Sequence, residues 1–185
     1  MNYNQALHYR KSLRLSGYDY SQPGYYFVTI CSFQRQCLFG DIIDYSMQLN
    51  QYGEIVREQW LQSAVIRTEI ELDEFIVMPN HFHAIVIINP VGANGHSPLP
   101  KSSNKPIMPL MKPKSLSSLM VGFKSSVTKQ INLIRHTPGA KIWQRNYYEH
   151  IVRNKQSLNN IRQYIINNPL SWGKDQLHPD NPSKW

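Results

Sequence analysis

The chain has 185 residues, 41% of them hydrophobic, which suits one ordinary core with peripheral extensions. Twenty Lys and Arg against 12 Asp and Glu give a net charge of +8, an excess that favours a polyanionic partner. The longest wholly apolar run covers residues 84–88, far short of the roughly 20 residues a membrane-spanning helix needs, and the start lacks a charged-then-apolar leader. A cytoplasmic protein that does not engage membranes is therefore expected.

Residues 1–24 are polar, carry Arg10, Lys11 and Arg14, and close on a turn-rich stretch around Pro23-Gly24. They read as a basic arm leading into the fold. Residues 25–33 (YYFVTICSF) are aromatic and β-branched, the composition of a first strand. Cys31 within it reads as a small core residue. With Cys37 as the other cysteine, the chain has neither a disulfide framework nor the thiols of a zinc site. Residues 36–43 read as a short second strand or a bulged continuation of the first. Over residues 49–67 the apolar positions Ile55, Val56, Trp60, Leu61 and Ala64 recur at helical spacing. Residues 71–78 and 81–88 are two further strands, joined as a hairpin by the turn-forming Pro79-Asn80.

Residues 89–115 hold half of the prolines and four lysines without an acid, and read as a flexible basic insertion rather than a domain boundary. Over residues 116–135 the positions Leu116, Leu119, Met120, Phe123, Val127, Ile131 and Ile134 form one apolar stripe, a second helix with Lys124 and Lys129 off the stripe. Residues 141–145 and 148–152 are short strand candidates. A last helix covers residues 155–168, stopped by Pro169. The main domain is thus expected over residues 25–172, with an irregular tail at 173–185. Strand, helix, two strands, helix, strand and an extra helix make an α+β chain: a ferredoxin-like antiparallel sheet with helices on one face.

His81-Phe82-His83 carries the most chemistry. On a strand, residues two apart share a face, so both imidazoles project together while Phe82 points to the core. Two imidazoles side by side can bind one metal ion; the plain alternative is two ordinary histidines at a strand start. A third ligand must come from elsewhere, and the last helix offers one. Tyr164 and Asn168 are four apart and share a helical face. The Asn168 carbonyl is a candidate third ligand and the Tyr164 phenol a candidate nucleophile; simple amphipathic packing is the alternative for the tyrosine. Tyr147 and Tyr148 are rival phenols, and Asn167 a rival ligand.

A phenol with a pKa of about 10 needs help to attack a phosphodiester. A metal held by His81, His83 and Asn168 supplies it by polarising phosphorus and aligning the scissile bond. The mixed nitrogen and oxygen set suits Mg²⁺ or Mn²⁺. Attack leaves a phosphotyrosine link and a free 3′ hydroxyl, and the link keeps the bond energy for a second transfer.

Residues 78–86 (MPNHFHAIV) resemble the histidine-hydrophobic-histidine motif of the single-tyrosine HUH transposases. Residues 143–150 (WQRNYYEH) and 164–169 (YIINNP) resemble the branch associated with repetitive extragenic palindromes (REP), as do residues 17–20 and 123–125. The resemblance implies an HUH nuclease fold with Tyr164 on a C-terminal helix as nucleophile, His81 and His83 as metal ligands and Asn168 as the third. Asparagine stands where the wider family often has glutamine. The implied activity is that of a single-stranded DNA endonuclease and strand transferase, a transposase working through a 5′-phosphotyrosine with Mg²⁺ or Mn²⁺. The implied partner is single-stranded, hairpin-forming DNA, bound by a monomer or a homodimer. Arg10, Lys11, Arg14, Lys124, Lys129, Arg145 and Arg153 are candidate DNA contacts. Glu149 and His150 are candidates to support the site. The competing expectation is a catalytically silent relative that binds DNA hairpins without cutting.

Overall fold

The computed structural model describes residue 15, residues 17–90 and residues 112–181. Arg10, Lys11 and Arg14, and residues 91–111 of the expected insertion, lie outside the described residues.

The first strand, β1 (Gly24–Cys31), is central in a four-stranded antiparallel sheet. Its neighbours are β5 (His81–Ile88) and β6 (Tyr148–Val152), and β4 (Ile70–Met78) lies outside β5. Between β1 and β4 come a small hairpin, β2 (Gly40–Ile43) with β3 (Ser46–Leu49), and helix α1 (Gln51–Ile66). Helix α2 (Leu116–Arg135) joins β5 to β6, and α3 (Lys155–Ile166) follows. Without the hairpin and α3, the order β1-α1-β4-β5-α2-β6 with β6 and β1 adjacent is the ferredoxin-like arrangement read from the pattern.

The sheet is buried on both faces. Tyr26, Val28 and Ile30 of β1 and Phe82, Ala84, Val86 and Ile88 of β5 pack with Trp60 of α1 and Phe123 and Val127 of α2. The alternate residues Phe27 of β1 and Ile85 of β5 pack with Leu158 and Ile165 of α3. So α1 and α2 cover one face and α3 the other. This two-sided burial is why the strands read as nearly continuous apolar runs rather than clean alternations.

Local chemistry sets the helix ends. Asn50 caps α1 by accepting from the Tyr52 and Gly53 amides. Ser115 and Ser118 form a reciprocal capping box on α2, and His136 closes it in the left-handed region at φ 52°. Asn154 caps α3 by accepting from the Ser157 amide. Pro169 then opens a 3₁₀ segment, Pro169–Lys174.

Two expectations change. Residues 36–43 yield β2, but it pairs only with β3, a strand absent from the sequence reading. The turn places Asp44 and Tyr45 both at positive φ, 49° and 60°, without the Asn-Gly signature that normally announces such a hairpin. Residues 141–145 do not form a strand; Trp143 makes an isolated bridge to Ser32. The carbonyls of Gln144 and Arg145 accept from the Lys124 ammonium.

Candidate active site

The histidine pair sits at the start of β5, directly after the Pro79-Asn80 turn. His81 lies opposite Cys31 and His83 opposite Thr29 on β1, so both rings project to the α3 face while Phe82 enters the main core. The rings are 4.5 Å apart between centroids and both residues are fully buried. Each has its Nδ1 occupied: His81 Nδ1 is 2.8 Å from Asn80 Oδ1, and His83 Nδ1 is 2.8 Å from Thr29 Oγ1. His83 Nε2 is thereby left for the cleft and His81 Nε2 for the buried space beside Asp175.

Helix α3 delivers the phenol. Ile165 and Leu158 anchor it on Phe27 and Ile85, and Arg162 ties it to the edge strand β4 through Asp73, at 2.6 and 2.9 Å. That attachment turns Tyr164 inward, with its hydroxyl 3.2 Å from His83 Nε2. Its ring lies edge-on to Phe27, which stacks on His83.

Asn168 is buried just past the helix, whereas its rival Asn167 is exposed. The Asn168 amide donates to Asp175 Oδ2 at 3.2 Å. Asp175 is the residue that the sequence reading missed. Its Oδ2 stands 4.0 Å from His81 Nε2, and a ligand atom from each of His81, His83 and Asp175 falls within 4.8 Å of the others. It belongs to the stretch read as a tail, and no motif spacing flags it. Its position depends on the 3₁₀ segment turning the chain back over the histidines, where Trp172 faces His81 with ring centroids 5.9 Å apart.

These residues fit a divalent cation. His81 Nε2 and Asn168 Oδ1 are buried polar atoms without a hydrogen-bond partner, a rare condition that a cation would relieve. Burial holds the His81 imidazole down at about 3, with the nearby Asn168 side chain opposing the effect and the Arg35 charge adding to it. Burial, and then the neighbouring His81, keep His83 well below its ordinary value. Both rings are therefore neutral, the form that ligates metals. Tyr164 is pushed up to about 12 by burial and by the Asp175 charge, with an Asn168 hydrogen bond opposing.

The site opens on a cleft of about 500 Å³ lined by Tyr164, His83, Asp175, Arg35, Lys174 and Gln144. Tyr147 and Tyr148 also border it. A second groove of about 890 Å³ runs along α2 and residues 136–145, and it shares Gln144 with the first. Lys124, Lys129 and Arg145 meet there, together with Lys141. Lys124 donates to the Gln144 and Arg145 carbonyls at 2.6 and 3.0 Å, and burial lowers it to about 8. Arg153 lines a different hollow, of about 380 Å³, with Glu149 and His150. Glu149 pairs with Val28 and so faces away from Tyr164.

The fold agrees with that of a known structure. The REP-associated tyrosine transposase, determined bound to a REP hairpin, superposes with a TM-score of 0.56 at 21% identity, over 88% of this chain and 77% of that one. The likeness shows a shared fold, the ferredoxin-like sheet with its covering helices. No family model matches the chain. A protein of Haemophilus influenzae (strain Rd), described as uncharacterised, is 39% identical over 179 residues, covering 96% of this chain and 98% of that protein. This chain belongs to the same family as that protein.

Proposed function

We propose that the chain is a metal-dependent endonuclease and strand transferase for single-stranded DNA, a transposase in which Tyr164 becomes joined to a 5′ phosphate. The observation that carries this reading is the Tyr164 hydroxyl, 3.2 Å from His83 Nε2 in a cleft that Asp175 also lines, with His81 buried directly behind them. A phenol, two neutral imidazoles and a buried carboxylate have little reason to converge for packing alone.

His81, His83 and an oxygen of Asp175 or Asn168 are the residues that would hold Mg²⁺ or Mn²⁺. When bound, the ion supplies Lewis-acid polarisation of a phosphate oxygen. The chain's own residues do the rest. Phe27 and the Arg162–Asp73 pair hold the phenol in place. Tyr164 does not ionise unaided at neutral pH, so attack depends on positive charge in the cleft, to which Arg35 and Lys174 contribute. In the step itself the phenolic oxygen bonds to phosphorus and the phosphorus–O3′ bond breaks. The proton leaving the phenol matches the one gained by the 3′ oxygen. The new ester retains the bond energy, so a second 3′ hydroxyl can reverse the step.

DNA outside the reacting phosphate has a path along the adjoining groove. Lys129, Lys141 and Arg145 offer charge there, and Lys124 holds the Gln144–Arg145 backbone in place. Arg153 adds charge at its separate hollow, and Arg10, Lys11 and Arg14 add to the chain's basic excess. Hairpin-forming DNA is the substrate this reading favours, supported by the REP hairpin bound to the similar transposase.

The test is a labelled single-stranded hairpin incubated with the full chain and Mn²⁺, run on a denaturing gel. A covalent protein–DNA band is expected, lost in Tyr164→Phe and with chelator. A chain that shifts the hairpin on a native gel yet never forms the band is the silent hairpin-binding protein instead.

A further inference from the structure

Asn80 makes three polar contacts, one to its neighbour His81 and two to distant parts of the fold. Its Oδ1 lies 2.8 Å from His81 Nδ1. Its Nδ2 donates to the Leu177 carbonyl at 2.7 Å and to the Arg35 carbonyl at 3.1 Å. The residue is fully buried. An amide can normally be turned end for end without changing its shape. Here it cannot, because two carbonyls accept from one end and a turned amide would set an oxygen against both. Asn80 Oδ1 must therefore face His81, and an amide oxygen only accepts. It follows that His81 Nδ1 carries the proton and Nε2 holds a bare lone pair aimed at Asp175, 4.0 Å away.

His83 is held differently. Its Nδ1 meets the hydroxyl of Thr29, which can donate or accept, so that contact leaves its tautomer open.

We infer that Asn80 is a positioning residue that couples the C-terminal segment to the cation site: the amide that places the Leu177 carbonyl also fixes the proton on His81. Asp175 is two residues from Leu177, and its Oδ1 accepts from the Leu177 amide at 2.6 Å. Seating that segment therefore delivers the carboxylate and, through Asn80, locks the imidazole that the carboxylate faces. Arg35 joins the same network from a turn in which both Gln34 and Arg35 stand at φ 56°, a conformation that non-glycine residues hold only when their surroundings enforce it. The inference concerns the residues named above as metal-holding, but the hydrogen-bond logic does not require the DNA chemistry.

The experiment uses the full chain, ¹⁵N-labelled, without DNA. Long-range ¹H–¹⁵N correlation of the imidazoles reports the tautomer, amide hydrogen exchange reports the C-terminal segment, and Mn²⁺ titration reports the site. In the parent chain His81 should show a protonated Nδ1 and a bare Nε2. Asn80→Ala should mix the two tautomers, speed exchange at the Leu177 amide, and weaken Mn²⁺ binding by about 10- to 100-fold, the range for loss of a group that orients a ligand. Asn80→Asp keeps an acceptor for His81 but removes both donors. It should retain the Nδ1–H tautomer while Leu177 exchange still accelerates. The aspartate is nearly isosteric, so it decides the coupling even if the alanine variant does not fold. A protonated Nε2 in the parent, an unchanged tautomer in folded Asn80→Ala, or unchanged Leu177 exchange in Asn80→Asp would overturn the inference. If the predicted tautomers are seen but no covalent DNA band forms, the nuclease reading fails and this one stands.

Discussion

His81 and His83 are one turn of the strand pleat apart, but their surroundings give them different duties. His81 is enclosed by Asn80, Asp175 and Trp172, while His83 looks out to Tyr164 and the cleft. If both rings ligate one cation, His81→Ala and His83→Ala should each weaken Mn²⁺ binding by at least about tenfold. Calorimetric titration of the folded variants measures this. Asp175→Asn against Asn168→Ala identifies the oxygen ligand. The carboxylate bears the charge a hard cation prefers, so the Asp175 change is expected to cost more. A larger loss from Asn168→Ala would restore the amide as third ligand and leave Asp175 as its hydrogen-bond acceptor.

Helix α3 brings the phenol to the histidines, and its seat is small: a few apolar side chains and the forked Arg162–Asp73 pair. The Arg162 guanidinium holds the Asp73 carboxyl below its ordinary value. A carboxyl with a lowered folded pKa contributes stability above its unfolded pKa of about 4, and loses it as pH falls through the lower folded value. Asp73→Asn should therefore cost about 1 kcal/mol at pH 7, and the difference should shrink as pH falls from about 4 toward the lower folded value. Urea unfolding across that pH range checks it. Helix α1 carries a second dependence. Alanine normally improves on glycine inside a helix by about 1 kcal/mol. At Gly53, however, an added Cβ would come 2.1 Å from the Phe39 carbonyl oxygen, where α1 passes close to the backbone before β2. Gly53→Ala is expected to destabilise by about 1–3 kcal/mol despite its helical preference, measured by the same unfolding experiment.

For the whole molecule, charge decides what approaches. The excess of +8 lies partly in the groove beside the cleft, where Lys129, Lys141 and Arg145 line one wall system with no acid among the lining residues. Single strands release about 0.7 counterion per neutralised phosphate, so replacing all three by glutamine should flatten the salt dependence of single-stranded DNA binding by about 2 in log–log slope. Fluorescence anisotropy of a labelled strand over a salt series reads this directly. An unchanged slope would move the DNA path to another face. Among the described residues no helix is long and apolar enough to cross a membrane.

Features that depend on local periodicity were legible in the order of the amino acids. The two-residue repeat of a strand put His81 and His83 on one face and Phe82 on the other, and the helical stripe from Leu116 to Ile131 marked α2, although Ile134, read as part of it, is exposed. Helix α3 ends at Ile166, short of the expected 168, so Tyr164 lies on it while Asn168 immediately precedes the 3₁₀ segment that follows. The β2–β3 turn escaped because Asp44-Tyr45 adopts positive φ without a glycine. Only the tertiary structure could bring in Asp175, which reaches His81 by way of a 3₁₀ turn. It alone could show that Lys124 serves the backbone of residues 144–145 and that Asn80 binds a carbonyl 97 residues away. Periodicity reports which side of an element faces inward; it carries no information about which distant segment arrives there, because that depends on packing among elements far apart in the chain.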